Sequence, residues 1–209
     1  MKLHIQNKFT SELPADAAQT NEPRQVHNAC YSFVEPKKPL NPSLIHASKE
    51  IAKEIGLSEE DLGSTDFLNV FSGNKIYPET KPYAMAYAGH QFGNWAGQLG
   101  DGRAINLTEV KHENKTFTLQ LKGAGPTPYS RTADGFAVLR SSIREYLCAE
   151  AMFYLGVPTT RSLSLVLSGD QVVRDVLYNG NPAYEKGAIV CRVAPSFIRF
   201  GSFELFASR

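Results

Sequence analysis

The sequence predicts an α+β domain built on an antiparallel sheet. Two segments with alternating apolar residues, Ala104–Val110 and Thr116–Lys122, flank the short polar turn KHENK and read as a hairpin. One strongly patterned helix, Ser141–Leu155, comes next, and three further strand candidates follow it: Thr160–Leu167, Gln171–Tyr178 and Ala188–Ala194. This order differs from the βαβαβ alternation of a doubly wound parallel sheet.

The elements can be justified from the N-terminus onward. Residues 1–40 are rich in Pro, Asn and polar side chains, show little periodicity, and read as an irregular arm over the domain. A helix is predicted over 42–55, with Asn41 as its cap, Pro42 at its first position and Gly56 as its stop. Leu44, Ile45, Ile51, Ala52 and Ile55 give it an apolar face. Residues 57–82 read as loop with short helical pieces, one capped by Ser58. A glycine-dense stretch, Gly89–Arg103, leads into the hairpin, and in its second strand Phe117, Leu119 and Leu121 alternate with Thr118, Gln120 and Lys122. A second glycine-rich loop, Gly123–Gly135, precedes the helix at 141–155. That helix carries Ile143, Tyr146, Leu147, Ala151, Tyr154 and Leu155 on one stripe, a capping box from Ser142 and Glu145, and Gly156 and Pro158 at its end. Glycine loop, strand, strand ending in lysine, helix carrying glutamate, then more strands is the order of a protein-kinase-like small lobe. The division expected is a 1–82 extension and an 83–209 nucleotide-binding lobe.

Composition excludes several classes. Hydrophobic residues make up 42% and charged residues 21%, the balance of a chain with a packed core. A net charge of +1 gives no reason to expect nucleic acid or an anionic membrane as partner. No apolar run is long enough to span a bilayer, and MKLHIQNKFTSELP lacks the apolar core of a signal peptide, so the expected location is the cytoplasm. Cys30, Cys148 and Cys191 are odd in number and far apart, which suits buried free thiols rather than disulfides or zinc. The five histidines form no ligand spacing.

Candidate chemistry sits in the glycine loops and beside them. Gly100 and Gly102, with Arg103 behind them, could let backbone N–H groups converge on an anion, or simply make a tight turn. Lys122 is either a solvated strand residue or a phosphate ligand held by a carboxylate from the next helix. Glu145 is placed to be that carboxylate, but it is equally placed to serve the cap with Ser142. Asp134-Gly135 makes an ordinary turn as well as a potential loop ligand. Arg192 and Arg199, seven residues apart, are surface charges or a bidentate phosphate clamp.

Taken together, the segments YAGHQFGNWAGQLGDGRAI, LKGAGPTPYSRTADGFAVLRSSIREYLCAEAM, LGVPTTRSLSLV and RVAPSFIRFGSFELFA resemble the signature blocks of the selenoprotein O, or YdiU, family. The resemblance runs from about Phe9 to the end and is densest over Tyr87–Arg209. It implies a protein-kinase-like fold that binds ATP in a flipped orientation and transfers AMP to Ser, Thr or Tyr hydroxyls of proteins. It implies nucleotide ligands at Gly100, Gly102, Arg103, Lys122, Asp134, Gly135, Arg192 and Arg199, and an ion pair between Lys122 and Glu145. Phe136 stands where the family pattern has a basic residue, and Phe197 and Ser202 stand where it has histidines. The family's general base Asp and its Mg²⁺ ligands, an Asn and a second Asp, are expected beyond the equivalent of Arg209, as is its C-terminal Cys or selenocysteine. The chain alone is therefore expected to be inactive. The rival readings are a catalytically silent nucleotide-binding module and a protein kinase. A dinucleotide oxidoreductase is disfavoured, because no G-x-G-x-x-G lies between a strand and a helix.

Overall fold

The computed structural model describes residues 1–209. Its centre is a seven-stranded sheet in which every neighbouring pair is antiparallel. In chain order the elements are α1 (Lys8–Glu12), β1 (Tyr31–Phe33), β2 (Ser43–Ala47), α2 (Lys49–Glu54), α3 (Glu59–Leu62), α4 (Thr65–Phe71), β3 (Tyr83–Met85), β4 (Ala88–Gln91), β5 (Asn94–Gln98), β6 (Ala104–His112), β7 (Lys115–Lys122), α5 (Leu139–Tyr154), β8 (Arg161–Arg174), β9 (Ala183–Ala194) and α6 (Phe200–Ala207). The sheet order is β1-β3-β6-β7-β9-β8-β2, and β4 and β5 form a separate small hairpin.

The predicted hairpin is β6–β7. Alternation along β7 sends Leu119 and Leu121 into the main core, with Ile105, Val110, Phe67 and Phe71. Helices α2, α3 and α4 supply much of that core, through Ile51, Ile55, Leu62, Phe67, Val70 and Phe71. Helix α5 covers β8 and β9 through Tyr146, which packs with Leu165, Ala188 and Val190. Residues 1–82 thus provide both edge strands of the sheet and part of its core.

Three elements differ from expectation. The helix predicted over 42–55 is half strand: Ser43–Ala47 pair with Ser164–Leu167 of β8 as an edge strand. Sheet hydrogen bonds override a local pattern that suits either state. The helix begins only at Lys49, capped by Ser48, whose Oγ accepts from the Ile51 N–H at 3.3 Å. The separate strands expected at Thr160–Leu167 and Gln171–Tyr178 are one strand, β8. It crosses irregularities at Ser162–Ser164 and Leu167–Gln171, and Gly169 takes φ +80° at the second. The capping box at Ser142 and Glu145 is absent, because α5 starts at Leu139, three residues earlier than Ser142, and Ser142 is buried in the first turn. Glu145 is released for other partners.

Further elements lie outside the expectation: α1 and β1 in the arm read as irregular, β3, the β4–β5 hairpin inside the first glycine stretch, and α6. The cysteines are free, but only Cys191 is buried, and Cys148 is exposed on α5. No helix is long and apolar enough to cross a membrane.

Candidate functional site

The C-terminal ends of β7 and β9 and the loops flanking the β6–β7 hairpin enclose an open cleft of ≈ 440 Å³. Such a volume accommodates a nucleotide-sized ligand. Gly100, Gly102, Arg103, Lys122, Arg192 and Arg199 all line it. Residues separated by up to 99 positions are thereby gathered at one place. Arg131 is a fifth cation in the wall, and Asp101 is the only carboxylate-bearing residue there. The surplus positive charge suits an anionic ligand carrying several charges.

Asp134 and Gly135 do not reach this cleft. They line an adjoining depression with Arg174, and Arg103 and Ala133 border both. Arg174 holds the Asp134 carboxylate with two bonds, Nη1 to Oδ2 at 2.6 Å and Nη2 to Oδ1 at 2.9 Å. Burial pushes the Asp134 carboxyl up, but the Arg174 guanidinium and the Phe136 N–H outweigh it and hold it below the ordinary range. Arg174 comes from the end of β8, and no local signal in the sequence couples it to position 134.

Lys122 and Glu145 are paired, with Nζ 3.5 Å from Oε2. The other carboxylate oxygen, Oε1, accepts from Arg192 Nη1 at 3.0 Å. One glutamate on α5 therefore holds two cations from neighbouring strands. Burial drives the Lys122 ammonium below the ordinary lysine range, and the adjacent Arg192 adds to this while Glu145 opposes it. Arg192 also donates from Nη2 to the Gln120 side-chain oxygen, and its guanidinium lies over the Phe197 ring at 5.2 Å. Arg199 is placed over the Tyr87 ring at 4.3 Å, with Nη2 3.8 Å from Asp101 Oδ1.

Ser202, in α6, accepts the Arg199 N–H at 3.4 Å. Phe136 lies under Lys37 Nζ at 5.0 Å. The glycine at 100 has a structural reason besides the cleft. It sits at φ +135°, and a Cβ there would lie 2.4 Å from the Tyr129 ring.

Behind the cations lies a buried polar group that no motif in the sequence marks. Asp101, Asn106 and Gln120 are all buried. Asp101 Oδ2 accepts from the Met85 N–H at 3.1 Å and from Asn106 Nδ2 at 3.2 Å. Burial nevertheless pushes the Asp101 carboxyl above its ordinary range. A signal was available: alternation places Gln120 on the same face of β7 as Lys122.

A family model described as protein adenylyltransferase SelO matches residues 16–209. The chain is 75% identical over 207 residues to the protein nucleotidyltransferase YdiU of Flavobacterium johnsoniae, covering 99% of this chain and 40% of that protein. It is 62% identical over 208 residues to the Rhodopirellula baltica protein of the same name, covering 99% and 38%. With the Tolumonas auensis protein, also called protein nucleotidyltransferase YdiU, identity is 59% over 207 residues, covering 99% and 40%. The chain spans about two fifths of the length of these relatives.

Proposed function

Because the chain belongs to the SelO family, we propose that it is the nucleotide-binding part of a protein adenylyltransferase, which transfers AMP from ATP to Ser, Thr or Tyr hydroxyls of proteins. The observation that carries this reading is the convergence of Arg103, Lys122, Arg192 and Arg199 on one cleft beside the Gly100–Gly102 turn. A lysine on a central strand paired with a glutamate on the covering helix is also what a kinase-like small lobe requires. In this reading residues 83–209 form that lobe, and residues 1–82 are an extension built into its sheet.

The chemistry asked of these side chains is charge stabilisation. Attack on the α-phosphate moves negative charge onto the departing pyrophosphate. Cations already fixed in a partly water-excluded cleft stabilise that charge without reorganising at the moment of reaction. Lys122 and Arg192 are fixed by Glu145, and Arg199 is steadied by Asp101 and Tyr87. Asp134 and Gly135, also assigned to the nucleotide by the family pattern, would act from the adjoining depression through their border with Arg103.

The residues in hand do not fit a magnesium ion. No group of three His, Cys, Asp or Glu side chains gathers in the structure. The carboxylates near the cleft already have cationic partners: Asp101 has Arg199, Asp134 has Arg174, and Glu145 has Lys122 and Arg192. We assign the metal ligands and the general base to the remainder of the protein.

The test is to incubate the intact protein with Mg²⁺, an acceptor protein and ATP labelled at either the α- or the γ-phosphate. Label from the α-position is expected on the acceptor. Transfer from the γ-position would identify a kinase. ATP binding with no transfer of either label would identify a silent nucleotide-binding module.

A further inference from the structure

We propose that Gln120 is a positioning residue that holds Arg192 in the cleft without itself neutralising the guanidinium. The proposal deepens the nucleotide reading of this cleft and rests on it.

The placement follows from sheet register. Asn106, Gln120 and Arg192 are direct cross-strand partners on β6, β7 and β9, so their side chains form one row across the sheet. Gln120 is fully buried at the middle of that row. Its Nε2 donates to Asn106 Oδ1 at 2.9 Å and lies 3.4 Å from Asp101 Oδ2. Its Oε1 accepts from Arg192 Nη2. The donor end of the amide thus faces an anion, and the acceptor end faces a cation.

Only an amide satisfies both neighbours at this position. A carboxylate would still accept from Arg192, but it would neutralise the guanidinium and oppose Asp101. An apolar side chain would leave the buried Asn106 Oδ1 and the half-buried Arg192 Nη2 without these partners. Glutamine avoids both problems. It orients the guanidinium and adds no negative charge of its own against phosphate oxygens. Glu145, the other partner of Arg192, divides its own charge between Arg192 and Lys122.

The row extends this control to the second arginine. Asp101 spends Oδ2 on donors from Met85 and Asn106, and turns Oδ1 towards Arg199. Arg192 and Arg199 are therefore anchored through one buried polar group rather than independently.

The test is a double-mutant cycle in the intact protein, with ATP affinity as the readout and thermal unfolding as the check that each variant is folded. Gln120→Met is expected to weaken ATP binding about tenfold in the native background. In an Arg192→Met background the same change is expected to alter ATP affinity less than about threefold, because the group it positions is gone. A tenfold loss that persists without Arg192 overturns the proposal and leaves the nucleotide reading standing. Should Gln120→Met fail to fold, Gln120→Glu supplies the test with a side chain of the same shape: it is expected to weaken ATP binding at least as much, and native affinity in that variant overturns the proposal. A native protein that does not bind ATP refutes the nucleotide reading, and this proposal with it.

Discussion

Lys122→Met in the intact protein is expected to lower AMP transfer by roughly a hundredfold to a thousandfold, the range found when one preorganised charge-stabilising donor is removed. The fold should lose no more than about 1 kcal/mol. Methionine fills the space of the lysine stem, and Glu145 keeps its bond to Arg192. Burial already disfavours the lysine charge in the free protein, so its removal relieves a desolvation cost as well as an ion pair. The same depressed pKa sets a pH signature. Phosphates require the protonated lysine, so kcat/KM should fall on the alkaline side before an ordinary lysine would titrate. Stability has the opposite sign. Between the depressed folded pKa and the ordinary unfolded one, the unfolded chain binds more protons, so this group makes the fold more stable as pH rises. Activity that declines while Lys122 stabilises the fold cannot be attributed to unfolding at that residue. The measurement is kcat/KM and thermal unfolding against pH for native protein and Lys122→Arg, with the alkaline limb expected to move to higher pH in the arginine variant. An unchanged limb would remove Lys122 as its source.

Gly135→Ala is expected to destabilise the protein by about 3 kcal/mol. Gly135 has φ +77°, and a Cβ at this position would lie 2.2 Å from the Gly125 carbonyl carbon. The two ends of the second glycine loop touch backbone to backbone, with the Gly125 N–H donating to the Gly135 carbonyl at 3.2 Å. Neither atom belongs to a side chain that could rotate away. Denaturant unfolding of the variant measures the loss, and a change within about 0.5 kcal/mol would mean that the loop has slack. The result bears on function too, because it separates the structural need for a glycine at 135 from any need imposed by a ligand.

The sequence was most legible where one pattern had one solution. The β6–β7 hairpin follows from Phe117, Leu119 and Leu121 against a polar turn, and a helix at α5 follows from its spacing and Gly156, although of its expected apolar stripe only Tyr146 is buried. It was ambiguous where a short apolar run suits either state. Leu44 and Ile45 sit in an edge strand because β8 offers free hydrogen-bonding groups there, a fact about a segment more than a hundred residues away. Six of the eight residues that the family motifs name line the cleft, Asp134 and Gly135 lie beside it, and its geometry was not legible. Nothing local tells Glu145 from a capping residue until α5 is found to begin at Leu139. Likewise Asp134, in a loop, meets Arg174 at the end of a distant strand, and Gln120 meets Arg192 through the register of β7 and β9.

Placement of nucleotide phosphates against Lys122 in the cleft is tested by an acyl-phosphate derivative of ATP. Such a probe acylates a lysine amine held beside its terminal phosphate. The intact protein is treated briefly with the probe, with and without excess ATP, and the modified lysines are mapped by peptide mass spectrometry. Rapid acylation of Lys122, suppressed by ATP, is the result predicted. Acylation confined to other lysines, or acylation of Lys122 that ATP does not suppress, would contradict it.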